Sequence, residues 1–248
     1  MSQDGVGIAT YEWGDRDAPT VVAVHGFASS AIANWHVTGW TRELTRAGLR
    51  VLALDQRGHG ASDKPHRPAD YSMQLLVADL LEVVDSHLID DFVLLGYSLG
   101  ARVGWHAAIE LPGRLTRAVL GGIPDGDPLS RFEVDAARAF IAGGERSADR
   151  LTMSYLDMAA GMRGNDLEAL VSLVEGMRGG DQPDPLHPPQ QPTLFATGSE
   201  DPILAASKRL SAAAPLGAFL ELPGRNHFNA PTSKVFREAG TEFLAARP

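Results

Sequence analysis

The chain contains no cysteine. Disulfide bridges, thiolate metal sites and a cysteine nucleophile are therefore excluded together. No uninterrupted apolar run is long enough to span a bilayer, so no membrane partner is expected. The first residues, Met1 to Gly5, carry neither the basic nor the apolar region of a signal peptide. Basic residues are in deficit, 22 Lys and Arg against 31 Asp and Glu, which leaves a formal net charge of −9 at pH 7. A surface with that excess repels phosphate backbones, and nucleic acid is not an expected partner. Ligand-spaced clusters of His, Asp and Glu are missing, and so are the Gly-rich fingerprints of dinucleotide and phosphate loops. The expectation is a cytoplasmic protein that uses no metal or cofactor. Monomer and homo-oligomer both remain open.

What is present is ordinary for a globular chain: 248 residues, 44% apolar and 21% charged, enough to bury one substantial core. Short apolar runs alternate with amphipathic stretches. That alternation predicts an α/β fold, a mostly parallel central sheet flanked by helices. Strands are expected at Thr20–Val24, Arg50–Leu54, Asp91–Leu95, Thr116–Leu120, Thr193–Thr197 and Phe219–Leu222, with an antiparallel strand within Gly7–Trp13. Helices are expected at Tyr71–Leu88, where Leu75, Leu76, Leu80 and Val83 share a face, at Leu99–Glu110, and at Lys234–Ala245. Residues 124–189 break the pattern. They offer no strand but three helical patterns, Arg131–Ala142, Ala148–Met162 and Asp166–Met177, punctuated by Gly143-Gly144 and Gly179-Gly180 and closed by the Pro-rich Gln182–Pro192. The predicted division is a core of residues 1–123 and 190–248 with a helical cap inserted at 124–189.

The sharpest local signal is Gly96-Tyr97-Ser98-Leu99-Gly100, between an expected strand and an expected helix. A serine in a strand-to-helix turn with small neighbours is the nucleophile-elbow pattern. The helix N-terminus there directs N–H groups and positive potential at the hydroxyl. A second stretch, Asp55-Gln56-Arg57-Gly58-His59-Gly60-Ala61-Ser62, lies just after another expected strand.

With these two motifs the sequence resembles the α/β-hydrolase superfamily, in the branch that carries a helical cap, over Gly5 to Leu244. The resemblance implies a triad in the order serine, acid, histidine. Ser98 is then the nucleophile. His227, in Gly224-Arg225-Asn226-His227-Phe228-Asn229, is the general base, and Asp201, in Gly198-Ser199-Glu200-Asp201-Pro202, is the acid. Asp125 and Asp127 are the alternative acids, because some relatives take theirs from the preceding strand, and Glu200 adjoins Asp201. The resemblance also implies an oxyanion hole from the backbone N–H groups of Phe27 and Leu99, with His25, Asp55, Arg57 and His59 structural. The superfamily includes epoxide hydrolases and haloalkane dehalogenases with an aspartate nucleophile. Ser98 stands at that position here, which argues against both.

Phe27, Tyr97, Tyr155, Met158 and Phe228 are the candidate substrate-contacting residues. Leu151, Tyr155, Met158 and Met162 recur at helical spacing in the cap, which suits either internal packing or a deformable apolar wall. Among the cap arginines Arg131, Arg138, Arg146, Arg150, Arg163 and Arg178, none is singled out as a carboxylate anchor. The expected activity is hydrolysis of a small carboxylic ester or lactone through an acyl-enzyme. Hydrolysis of a C–C bond in a diketone, enol-lactone opening and perhydrolysis are the enzymatic alternatives. A small-molecule receptor on the same fold is the non-enzymatic one.

Overall fold

The computed structural model describes residues 2 and 4–246. Seven strands form: β1 (Thr10–Trp13), β2 (Thr20–Val24), β3 (Arg50–Leu54), β4 (Phe92–Tyr97), β5 (Leu115–Gly121), β6 (Thr193–Gly198) and β7 (Gly217–Leu222). They make one sheet in the order β1-β3-β2-β4-β5-β6-β7. β1 is antiparallel to β3 and every other pairing is parallel. The direction of winding reverses between β2 and β4, so the loops leaving their C-terminal ends diverge and leave a crevice. The pairing of Val24 with Gly96 sets those two strand ends side by side.

The helices are α1 (Trp40–Arg46), α2 (Met73–Ser86), α3 (Leu99–Glu110), α4 (Val134–Ile141), α5 (Arg150–Ala160), α6 (Leu167–Gly176), α7 (Leu204–Ala213) and α8 (Lys234–Ala245). A sheet covered on both faces needs strands that are apolar at every position. β2 and β3 are buried throughout. Val22, Leu52, Leu94 and Leu120 point to one side and pack with Leu76 and Leu80 of α2 and Val103 of α3. Val21, Val51, Leu95 and Val119 point to the other and pack with Trp40 and Leu44 of α1 and Phe236 of α8.

Among the α-helices of the described residues, two have no counterpart in the sequence reading. α1 is only seven residues and follows Gly39, which caps it with no side-chain bond. α7 buries Ala206, Ser207, Leu210 and Ser211, a face too small and polar to give an apolar period. The helix expected from Tyr71 begins at Met73, because the Ser72 hydroxyl accepts the N–H of Leu75 at 3.2 Å. It stops short of Leu88, whose φ is 52°. The strand expected within Gly7–Trp13 keeps only its second half. Gly7 and Ala9 spend their carbonyls on Asp63 and Asp55 in the neighbouring loop.

Between β5 and β6 the described residues form α4, α5 and α6 and no strand. Asp149 and Asp166 cap α5 and α6 with their carboxylates. Phe132, Val134, Ala137, Met153, Leu156, Val171 and Val174 make a small core of their own. We call this helical layer the cap. Among the described residues no helix is long and apolar enough to cross a membrane.

Candidate active site

Ser98 joins β4 to α3 with φ 53° and ψ −112°. A non-glycine residue held there stores of order 1–3 kcal/mol of strain. The turn survives because its neighbours lack side chains. A Cβ on Gly96 would lie 2.5 Å from the carbonyl oxygen of Gly100, and one on Gly100 would lie 2.0 Å from that of Val24. The helix can therefore press against the ends of β2 and β4, and the serine hydroxyl projects beyond the sheet.

His227 is on the loop after β7. Asn226 Oδ1 accepts the N–H groups of Phe228 and Asn229, and Asn229 Oδ1 accepts that of Asn226. The Tyr97 hydroxyl donates to the His227 carbonyl at 2.5 Å. Asp201 follows β6, and its Oδ1 accepts the N–H of Ile203 at 3.1 Å. These loops bring the three groups into line. His227 Nδ1 stands 2.7 Å from Asp201 Oδ2 and His227 Nε2 stands 2.9 Å from Ser98 Oγ. A carboxylate only accepts, so Nδ1 carries the proton and Nε2 is free to accept the serine O–H. Asp125, the alternative acid, instead pairs with Arg209, its Oδ2 2.8 Å from Nε. Asp127 Oδ1 accepts the N–H of Leu129.

The loop after β2 supplies the opposite wall. His25 and His59 are wholly buried beneath it. The Nε2 of His25 accepts the N–H of Gln56 and that of His59 accepts the N–H of Ala28, both at 3.0 Å. Each Nδ1–H then donates to a carbonyl, Gly26 for His25 and Arg57 for His59. Burial holds both rings neutral, pushing His25 down and His59 down to about 3, which keeps the accepting nitrogens available. Asp55 fixes the same loop through the N–H groups of Ala31 and Ala61, at 2.7 and 2.8 Å. Arg57 lies beneath it, its Nε and Nη2 on the two oxygens of Asp79 at 2.6 and 2.7 Å. The N–H groups of Phe27 and Leu99 have no acceptor among the described residues, and both residues line the cavity that Ser98 faces.

That cavity has a volume of about 760 Å³. The core contributes Ser98, Asp201 and His227 to its wall, and the cap contributes Leu151, Tyr155, Met158 and Met162. A family model described as the alpha/beta hydrolase fold matches residues 19–144. The chain belongs to the alpha/beta hydrolase fold family.

Among curated relatives of this hydrolase-fold chain, the AB hydrolase superfamily protein YfhM of Bacillus subtilis is 30% identical over 127 residues, 50% of this chain and 42% of that protein. Epoxide hydrolase A of Mycobacterium tuberculosis is 32% identical over 56% of this chain and 42% of its own length. A non-heme chloroperoxidase of Streptomyces lividans is 33% identical over 64% of this chain and 58% of its own. The chain thus spans less than two thirds of the length of these relatives. A hydrolase from Pseudomonas aeruginosa superposes with a TM-score of 0.77 at 23% identity, covering 99% of this chain and 97% of the other. The enol-lactonase from Burkholderia xenovorans superposes with 0.73 at 22% identity, covering 98% of each chain. At such identities the likeness is one of fold.

All five residues expected to contact a substrate line the cavity of this hydrolase fold. Tyr97 also has a task the sequence did not suggest, since its hydroxyl is spent on the His227 loop. Tyr155 stands between the two loops, its ring 5.9 Å from Phe27 and 6.4 Å from Phe228. The methionines divide. Met158, Met162 and Met177 face the cavity, while Met153 packs inside the cap. Of the six cap arginines, Arg150 alone lines the cavity among the described residues, and it is exposed. Arg138 and Arg146 pair with Glu175 and Asp157. The sequence reading missed Arg102, a buried arginine on α3 that also lines the cavity. Its position four residues after Ser98 was the available signal.

Proposed function

We propose that the protein hydrolyses a small carboxylic ester or lactone through an acyl-enzyme on Ser98. The observation that carries this reading is the unbroken relay Asp201–His227–Ser98, with contacts of 2.7 and 2.9 Å, opening on the cavity. Ser98 Oγ attacks the carbonyl carbon while its proton passes to His227 Nε2. The carbonyl oxygen takes the negative charge and is met by the free N–H groups of Phe27 and Leu99. Asp201 holds the Nδ1 proton and stabilises the imidazolium. Collapse breaks the bond to the alkoxide, which leaves with the Nε2 proton, or remains tethered when the substrate is a lactone. Water then gives a proton to Nε2 and attacks the acyl carbon, and the second collapse returns that proton to Ser98.

Ring opening of an epoxide through a covalent ester requires a carboxylate nucleophile. Position 98 is a serine, so the names of the epoxide hydrolase relatives do not extend to this reading. The test is covalent. A fluorophosphonate probe should label Ser98 in intact protein. Ser98→Ala should abolish labelling and lower ester turnover by roughly 10⁶-fold. A label mapped to another residue by mass spectrometry, with Ser98→Ala still active, would refute the assignment.

A further inference from the structure

Among the described residues, Arg102 is the one arginine of the cavity wall that is nearly closed off from solvent, with 6% of its surface exposed. It belongs to α3, and its backbone N–H bonds the Ser98 carbonyl at 3.0 Å. Arg102 lies in the first turn of α3, just past the elbow, and both it and Ser98 line the same cavity. Its polar atoms are poorly satisfied. Nη2 donates to Gln182 Oε1 at 2.8 Å. Nε is enclosed and without a partner. Nη1 has no acceptor among the described residues, and no carboxylate comes within 4.0 Å of the guanidinium there. Burial draws the group down to about 10, with Asp127 opposing from a distance, so it remains charged at neutral pH.

A buried charge with one neutral partner is costly. If packing were its only task, an apolar side chain would serve α3 better. The guanidinium is a planar fork suited to a carboxylate. Gln182, at the start of the Pro-rich return from the cap, fixes one prong and leaves another open.

We propose that Arg102 binds a carboxylate carried by the substrate, so that the natural substrate is an acid-bearing ester or lactone with its carboxylate a few carbons from the scissile carbonyl. This deepens the reading of Ser98 as nucleophile and rests on it for turnover, though not for binding.

Two matched esters test it, 4-nitrophenyl hydrogen glutarate and neutral 4-nitrophenyl pentanoate. The wild type should prefer the acid. Arg102→Met should lose about 10- to 100-fold in kcat/KM on the acid ester, mostly through KM, and stay within about threefold on the neutral one. Arg102→Lys should restore part of the loss. Calorimetry gives an arm that needs no chemistry and no variant. Glutaric acid monoanilide should bind the wild-type protein at least about tenfold more tightly than pentananilide. A wild type that binds both anilides alike, or equal losses on both esters in Arg102→Met, overturns the proposal. Failure of the probe to label Ser98 would sink the hydrolase reading instead, and the anilide comparison would still decide Arg102.

Discussion

On the sheet side of the cavity, each group is set by backbone. Ser98 is fixed by a strained turn between glycines, Asp201 by the end of β6, and His227 by a loop tied through Asn226, Asn229 and Tyr97. Buried and neutral His25 and His59 hold the facing loop. On the cap side, the wall is made of side chains. Leu151, Tyr155, Met158 and Met162 hang from or beyond one short helix. The pairs that brace the cap, Arg146 with Asp157 and Arg138 with Glu175, are solvent-exposed, where ion pairs add little. A backbone-built site holds geometry to fractions of an ångström, as a proton relay requires. A wall of flexible side chains can reshape around a ligand at small cost. Rate should therefore depend on the sheet side and selectivity on the cap.

The largest effect that sharpens this contrast comes from the acid. Asp201→Asn keeps the shape but replaces the carboxylate with an amide that no longer fixes the His227 tautomer. Ester turnover should fall by about 10³- to 10⁴-fold. Asp125→Asn should cost little, because Asp125 is engaged with Arg209, and Glu200→Gln likewise. Steady-state kinetics on one activated ester would check all three. If Asp125→Asn proved crippling and Asp201→Asn did not, the observed relay would not be the working one.

The cap should behave differently. Tyr155→Ala removes the ring between Phe27 and Phe228 without touching the relay. The ratio of kcat/KM for bulky over short acyl esters should change by about tenfold, with reactivity toward the smallest ester nearly kept. Equal losses across the series would mean that Tyr155 positions the Phe27 loop, and the division between the two sides would fail.

The same contrast explains what could be read in the sequence. Strands β2 to β6 are buried over most of their length, so apolar runs marked them, and the elbow glycines flagged Ser98 because nothing larger fits there. His227 and Asp201 were legible from chain order once the elbow was recognised. α1 and α7 escaped because one is only about two turns long and the other buries mainly alanine and serine. Arg102 escaped for a different reason. In the sequence it is one arginine among many, and only the packing of α3 against the Pro-rich return shows its charge to be enclosed.

The smallest expected effect lies where the two sides meet. His66, in the core loop before α2, donates from Nε2 to Asp166 Oδ2 at 2.9 Å, at the cap of α6, with Glu168 Oε2 3.4 Å from Nδ1. The hydrogen bond to Asp166 raises the imidazole above its ordinary 6.5, despite the opposing charge of Arg138. A raised value means that the folded protein holds the proton more tightly than the unfolded chain does. The contribution is therefore full below about pH 6.5, where both states are protonated, and is lost as pH rises through the folded value. Asp166 is itself held below the usual carboxylate range, so it remains charged throughout that window. The imidazole is half-exposed, and solvent screening keeps the effect small. Melting curves of wild type and His66→Gln should differ most near pH 5.5 and converge by pH 8.5. A difference that stayed constant across that range would mean that His66 joins cap and core as a neutral hydrogen-bond donor. The junction would then be insensitive to pH, like the loop after β2, where burial lowers His25 and His59.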